Sequence, residues 1–208
     1  RRIALLDDHT GYGEGLANGI AQTIKAGGSK LITREFTSSQ TTDFSALLGR
    51  LKHFGPDGVI YAGAEIQGSL LLRQMRQMGM NAYFLTGDGG CTEEFIQLAG
   101  EAMSDKVFCS RAGLPLKRLA DPGFVERYQQ RFGEMPRHHA PQAYAAASAL
   151  IEAMLLANSA EPARYLPALR KLHFKSVAGE LSFDARGEPH SAPLTIYQFK
   201  AGAWQALP

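Results

Sequence analysis

The sequence predicts an α/β fold, a doubly wound parallel sheet followed by a mainly helical remainder. Three observations carry that prediction. The run Ile3-Ala4-Leu5-Leu6 is apolar without polar alternation, as in a strand hidden on both faces by crossover helices. Between strand-like runs, apolar residues recur at helical spacing. Strand starts return roughly every 25 residues with a helix between each pair, the signature of right-handed βαβ units.

Taken in order, the first strand ends in two carboxylates, Asp7 and Asp8, and a turn holding Gly11, Gly13 and Gly15. These glycines are expected to let the backbone bend sharply and approach whatever sits above the C-terminal edge of the strand, where open α/β sheets bind ligands. Tyr12 is the one large side chain in that turn; its ring can lie against a small ligand and its hydroxyl can hydrogen-bond. Leu16, Ile20 and Ile24, widened by Ala17, place a helix over 12–26, stopped by Gly27-Gly28. A second strand covers 30–37. Thr42-Asp43 is expected to cap the next helix, whose Phe44, Leu47, Leu48 and Leu51 share one face.

Gly55-Pro56-Asp57-Gly58 breaks that helix and launches a third strand over 59–62. Gly63-Ala64-Glu65 then turns into a helix ending near Met78-Gly79, with Met75, Met78 and Met80 as core filling. A fourth strand over 82–85 ends in the turn Thr86-Gly87-Asp88-Gly89-Gly90, Thr92 caps a short helix over 93–99, and a fifth strand covers 107–110. Near Gly113-Leu114-Pro115 the pattern becomes helical, over 122–132, 140–157 and 162–172. Strand-like pieces at 177–183 and 194–199, joined through Asp184-Ala185-Arg186-Gly187, and a short strand at 203–206 close the chain. The helix over 143–156 is apolar or small nearly all round and needs partners on several sides.

The 208 residues, 45% of them hydrophobic, suffice for a packed core in one ordinary domain or two small ones. A net charge of +2 with acids and bases interspersed gives no basic stripe, which argues against nucleic acid and membrane-surface partners. No apolar run reaches the roughly 18 residues of a membrane span. The chain opens on Arg1-Arg2 rather than Met and enters a strand at once, which points to a removed preceding segment. Cys91 and Cys109 lack metal-ligand spacing; the simplest account of Cys109 is a small buried hydrophobe, while a bridge to Cys91 stays open in an oxidising compartment.

No arrangement for catalysis assembles from the spacing, and no metal or cofactor is called for. The six histidines are scattered, and the adjacent His138 and His139 cannot share one metal in helical register. The turn Gly11-Tyr12-Gly13-Glu14-Gly15 lacks the dinucleotide spacing. Asp7-Asp8 resembles the opening of response-regulator receiver domains, but Ala62 stands where their phosphoaccepting carboxylate should be. Three turns are instead expected to meet at one sheet edge, those at Thr10-Gly11-Tyr12, Gly63-Ala64-Glu65 and Gly87-Asp88-Gly89. An aromatic and two carboxylates there suit a small cationic or zwitterionic ligand. The plain alternatives are a turn carboxylate for Asp88 and an acid favoured by the helix dipole for Glu65.

The ordered set 8–17, 43–52, Tyr61-Ala62-Gly63, Leu72-Arg73-Gln74, Gly79, 84–90, Leu98-Ala99-Gly100, Tyr144-Ala145-Ala146 and 179–184 with Gly187 resembles the periplasmic leucine/isoleucine/valine-type substrate-binding proteins of ABC importers. That resemblance implies two α/β lobes closing on an amino acid like a hinge, a location in the periplasm and a membrane permease as partner. It places 1–112 in the second lobe, 113–190 in a crossover and the helices of the first lobe, and 191–208 in returning strands. The family's opening half is not in this sequence. Tyr12 then packs on the ligand and Asp88 takes its ammonium. Ala64 departs from the family's aromatic or polar residue, and with Glu65 beside it favours a cationic or polar ligand; His139 falls near a pocket-lining position. With the first lobe incomplete, the 143–156 helix is expected to drive self-association. A ligand-sensing regulatory domain on the same fold is the alternative function, and a response-regulator receiver domain ranks third behind it.

Overall fold

The computed structural model describes every residue of the chain except His138, so the reading of a His138-His139 pair lies partly outside the described residues. Its strands are β1 (Arg2–Asp7), β2 (Lys30–Phe36), β3 (Gly58–Ala62), β4 (Tyr83–Thr86), β5 (Val107–Ala112), β6 (Phe174–Ser176), β7 (Gly179–Leu181), β8 (Leu194–Lys200) and β9 (Ala203–Ala206). The helices are α1 (Gly11–Ala26), α2 (Ser45–Phe54), α3 (Glu65–Gln77), α4 (Glu93–Ala99), α5 (Phe124–Phe132), α6 (Ala140–Leu156) and α7 (Pro162–Arg170). The chain forms two units: Arg1–Arg111 with Ile196–Pro208, and Ala112–Thr195.

The first unit is built on a sheet of order β2-β1-β3-β4-β5-β8-β9. β1 to β5 pair in parallel, and β8 and β9 form an antiparallel hairpin at one edge. Period-two alternation sorts its side chains by face. Ala4, Leu6, Val59, Tyr61, Phe84 and Val107 meet Leu47, Leu48 and Leu51 of α2, Leu71, Leu72 and Met75 of α3, and Phe95 of α4 in the main core. Leu5 and Ala62 face the other way, under Ala17 of α1 with Leu16 and Ile20 beside it. Right-handed crossovers explain this split, since β1 leads outward to β2 whereas β2→β3→β4→β5 runs back across the sheet. Beyond α1, Tyr83, Leu85, Phe108 and Ile196 line an apolar groove on its face of the sheet.

Register matters for function. The pairs Leu6–Tyr61, Tyr61–Thr86 and Thr86–Cys109 keep the strand ends level, so the turns after β1, β3 and β4 emerge side by side.

Three details differ from the sequence expectations. Cys91 and Cys109 are joined in a disulfide, so Cys109 is half of a cystine rather than a buried free thiol. Phe44, not Thr42 or Asp43, is the formal cap of α2; Asp43 still accepts hydrogen bonds from the Ser45 N–H at 2.8 Å and hydroxyl at 2.6 Å. The strand expected over 177–183 is interrupted, because Val177 and Ala178 form the turn of a β6–β7 hairpin that makes a sheet of its own.

In the second unit Leu119, Phe124, Ala145 and Val177 form a small core. α6 buries its small residues, Ala145, Ala149 and Ala153, at i, i+4 spacing, and leaves Tyr144, Ile151, Leu155 and Leu156 exposed. Among the described residues, no helix is long and apolar enough to cross a membrane.

Candidate functional site at the sheet edge

The rim begins with the last residue of β1 and the turn after it. Asp8 is nearly fully buried, at 3% exposure, yet both its oxygens are used. Oδ1 accepts from the Thr10 hydroxyl at 2.6 Å and the Thr10 N–H at 3.2 Å, and Oδ2 accepts from the Ala64 N–H at 3.1 Å. One carboxylate therefore ties the turn after β1 to the turn after β3. Thr10 in turn caps α1 by accepting from the Gly13 N–H at 3.0 Å. A buried charge satisfied by three donors is a positioning element, since water cannot compete for it.

The bend in this turn is made by His9, not by the glycines. His9 has φ 57°, in the left-handed region, and Gly11, Gly13 and Gly15 do not. Its N–H donates to Asp7 Oδ1 at 3.1 Å, its ring lies 5.0 Å from that of Phe36, and its Nδ1 is 2.7 Å from Glu14. Close approach is confined to Gly13, where a Cβ would lie 2.2 Å from Asp8 Oδ1 and 2.7 Å from the Ala62 carbonyl oxygen. Gly11 and Gly15 face open space.

Two of the candidate residues meet directly. The Tyr12 hydroxyl donates to Asp88 Oδ1 at 2.5 Å, across 76 residues of sequence. Tyr12 remains 46% exposed, so its ring is available on the rim while its hydroxyl is held. Burial first, then the hydrogen bond and charge of Asp88, hold the Tyr12 pKa well above the ordinary tyrosine value. It is a permanent donor to Asp88 at neutral pH. Gly87 allows the contact: a Cβ there would sit 2.4 Å from the Tyr12 hydroxyl.

Ala64 is exposed and stands at the N-terminus of α3 with its N–H on Asp8. Glu65, the first residue of α3, accepts from the Thr92 hydroxyl at 3.0 Å. Its place at a helix N-terminus and this bond give it a structural role independent of any ligand. His139 is exposed just ahead of α6, in the second unit. Among the described residues, no group of three or more His, Cys, Asp or Glu gathers as a metal set. Asp7 and Asp8 are instead engaged by backbone donors, Thr10 and Arg34.

Residues 1–203 match the family model described as periplasmic binding protein. The chain belongs to the periplasmic binding protein family. A relative from Brucella abortus (strain 2308), named Leu/Ile/Val-binding protein homolog 1, is 32% identical over 203 residues, 97% of this chain and 54% of its own length. A leucine-, isoleucine-, valine-, threonine- and alanine-binding protein from Pseudomonas aeruginosa is 29% identical over 206 residues, 98% of this chain and 54% of the relative. This periplasmic binding protein chain thus spans about half the length of the relatives it matches. Among solved structures, a leucine binding protein from Thermotoga maritima MSB8 superposes with a TM-score of 0.89 at 27% identity, covering 100% of this chain and 59% of that one. A branched-chain amino acid transporter binding protein from Streptococcus pneumoniae, solved with isoleucine, shares the fold at a TM-score of 0.81 and 22% identity, covering 99% and 60%. The family binds solutes and catalyses no reaction.

Sequence reading misses what organises this rim. It groups Asp8 with Asp7 as a strand-ending acid pair, although the spacing Asp8-x-Thr10-x-x-Gly13 carries the signal of a carboxylate-held cap. The partnership of Tyr12 with Asp88 has no local signal, because it depends on strand register.

Proposed function

We propose that the longer protein of which this chain forms part binds an amino acid between two lobes and delivers it to the membrane permease of an ABC importer in the periplasm. Tyr12 and Asp88 contribute one wall of that site. The Asp88 carboxylate takes the ligand's ammonium through its unshared oxygen, and the Tyr12 ring packs on the ligand backbone. The observation that carries this reading is the Tyr12–Asp88 bond on a rim where three turns meet, in a chain whose relatives are named as amino-acid-binding proteins. Mechanism follows from differential affinity, since a ligand that touches both lobes stabilises the closed state, and the permease reads that state.

Side-chain preference is proposed to be aliphatic. Ala64 presents only a methyl group, and Glu65 has one oxygen on the Thr92 hydroxyl and its charge at the N-terminus of α3, which weakens its pull on a cationic side chain. Titration calorimetry of the full-length protein with L-leucine, L-isoleucine and L-arginine tests both claims. Asp88→Asn should weaken binding about tenfold or more, equivalent to roughly 1.4 kcal/mol. Unchanged affinity removes Asp88 from the site, and tighter binding of arginine than leucine refutes the aliphatic preference.

A further inference from the structure

We propose that the Cys91–Cys109 disulfide positions the Asp88 carboxylate, so that the bridge sets ligand affinity and not only stability. This rests on the ligand-binding reading of Asp88 above.

Asp88 sits in the most permissive stretch of the chain, Gly87-Asp88-Gly89-Gly90. Three glycines in four residues give the free segment a wide range of conformations, most of which would carry the carboxylate away from Tyr12. Packing requires glycine at two of the three positions. A Cβ at Gly90 would lie 2.1 Å from Thr86 Cγ2, and one at Gly87 would meet the Tyr12 hydroxyl. Within the turn the Gly90 N–H to Gly87 carbonyl bond at 3.1 Å and the Tyr12–Asp88 bond oppose that freedom, and much of the rigidity has to come from its anchors.

The anchors are in place on either side. Upstream, Thr86 is fixed in the sheet opposite Cys109. Downstream, residues 88–90 make a single 3₁₀ turn that Cys91 closes, its N–H donating to the Asp88 carbonyl at 3.1 Å. The bridge then returns Cys91 to Cys109, on the strand next to the one the turn has just left. Both ends of the glycine-rich turn are thus fastened to adjacent strands, one by the ladder and one by a covalent bond. Cys91 and Cys109 are buried with Tyr197 and beside Trp204. The indole of Trp204 adds a weaker tether by donating to the Thr92 carbonyl at 3.1 Å. A carboxylate held before the ligand arrives does not have to be ordered by it, which is where the affinity comes from.

The test is a double-mutant cycle in the full-length protein, with L-leucine as the probe and calorimetry run well below the unfolding transition. Replacing both cysteines, Cys91→Ala with Cys109→Ala, should raise Kd about fivefold. In an Asp88→Asn background the same replacement should change Kd less than about twofold, because there is no carboxylate left to position. A bridge that serves stability alone would lower the melting temperature and leave Kd unchanged at low temperature; that result overturns the proposal while Asp88→Asn still weakens binding. Equal weakening in both backgrounds also overturns it, since the bridge would then act other than through Asp88. Loss of any effect of Asp88→Asn defeats the ligand-binding reading itself. Should the alanine pair fail to fold, the same cycle is run with the near-isosteric pair Cys91→Ser and Cys109→Ser, which also lacks the bridge. That pair should raise Kd about fivefold with Asp88 present and change it less than about twofold in the Asp88→Asn background. An unchanged Kd with Asp88 present overturns the proposal.

Discussion

Gly13→Ala, set beside Gly15→Ala, measures how much of the rim depends on the buried Asp8. Both positions lie in the first turns of α1 and neither has a positive φ. By helix propensity alone each substitution should stabilise by about 1 kcal/mol. At Gly15 nothing lies within 4 Å of the new Cβ, and that gain should be realised. At Gly13 the methyl would stand 2.2 Å from Asp8 Oδ1 and 2.7 Å from the backbone oxygen of Ala62. The backbone cannot yield cheaply, so either α1 lifts from the sheet or Asp8 rotates and releases Thr10 and Ala64. Overpacking costs about 1–3 kcal/mol, and a disrupted hydrogen bond to a charged group about 1.5–3 kcal/mol. After the propensity gain, the net loss at Gly13 should be about 3 kcal/mol, and the two variants should differ by roughly 4 kcal/mol. Urea unfolding followed by the fluorescence of Trp204 reads this directly, because it is the one tryptophan of the chain and packs in the first unit. Gly13→Ala at or above wild-type stability would refute the account of Asp8 as the tie between the two turns.

Four further outcomes are expected. Thr10→Ala removes both the α1 cap and the hydroxyl that donates to the buried Asp8, and should cost about 3 kcal/mol, with faster hydrogen exchange in the first turn of that helix; unchanged exchange would count against the cap. Removing the disulfide, which spans 18 residues, should destabilise the first unit by about 3 kcal/mol in the same urea assay, and a shift below about 1 kcal/mol would mean the unbridged state is already constrained. Asp184 is held below the ordinary carboxylate range, first by the Glu188 N–H and then by Arg186. Its contribution to stability is complete above its unfolded pKa of about 4 and is lost as pH falls through the lower folded value, so Asp184→Asn should flatten that acid limb. The groove lined by Tyr83, Leu85, Phe108 and Ile196 should make the 208-residue chain self-associate at high concentration; Phe108→Lys should shift light scattering toward monomer, and a wild-type monomer throughout would refute this.

The helical and strand periodicities are legible from the first residues because each reports a local burial pattern. Leu47, Leu48 and Leu51 face the sheet at the spacing that predicts α2, and Ile3 to Leu6 is the buried strand its lack of alternation implies. Phe44 shows where such reading stops: it is buried but lies just ahead of α2, since a favourable spacing does not say where the helix begins. The 177–183 segment departs for a related reason. Its apolar content reads as one strand, whereas Gly179 takes φ 121° and the chain doubles back there.

What the sequence alone determined is the order of strands and helices, and through the crossover rule the set of turns that share one sheet edge; these follow from hydrophobic period and chain handedness, which are local properties. Only the tertiary structure decided which atoms meet there. The hold of Asp8 on Thr10 and Ala64, the Tyr12–Asp88 bond and the Cys91–Cys109 bridge join residues as far as 76 positions apart. Such contacts are set by parallel register to within a residue, and a one-residue slip would turn each of these side chains to the opposite face.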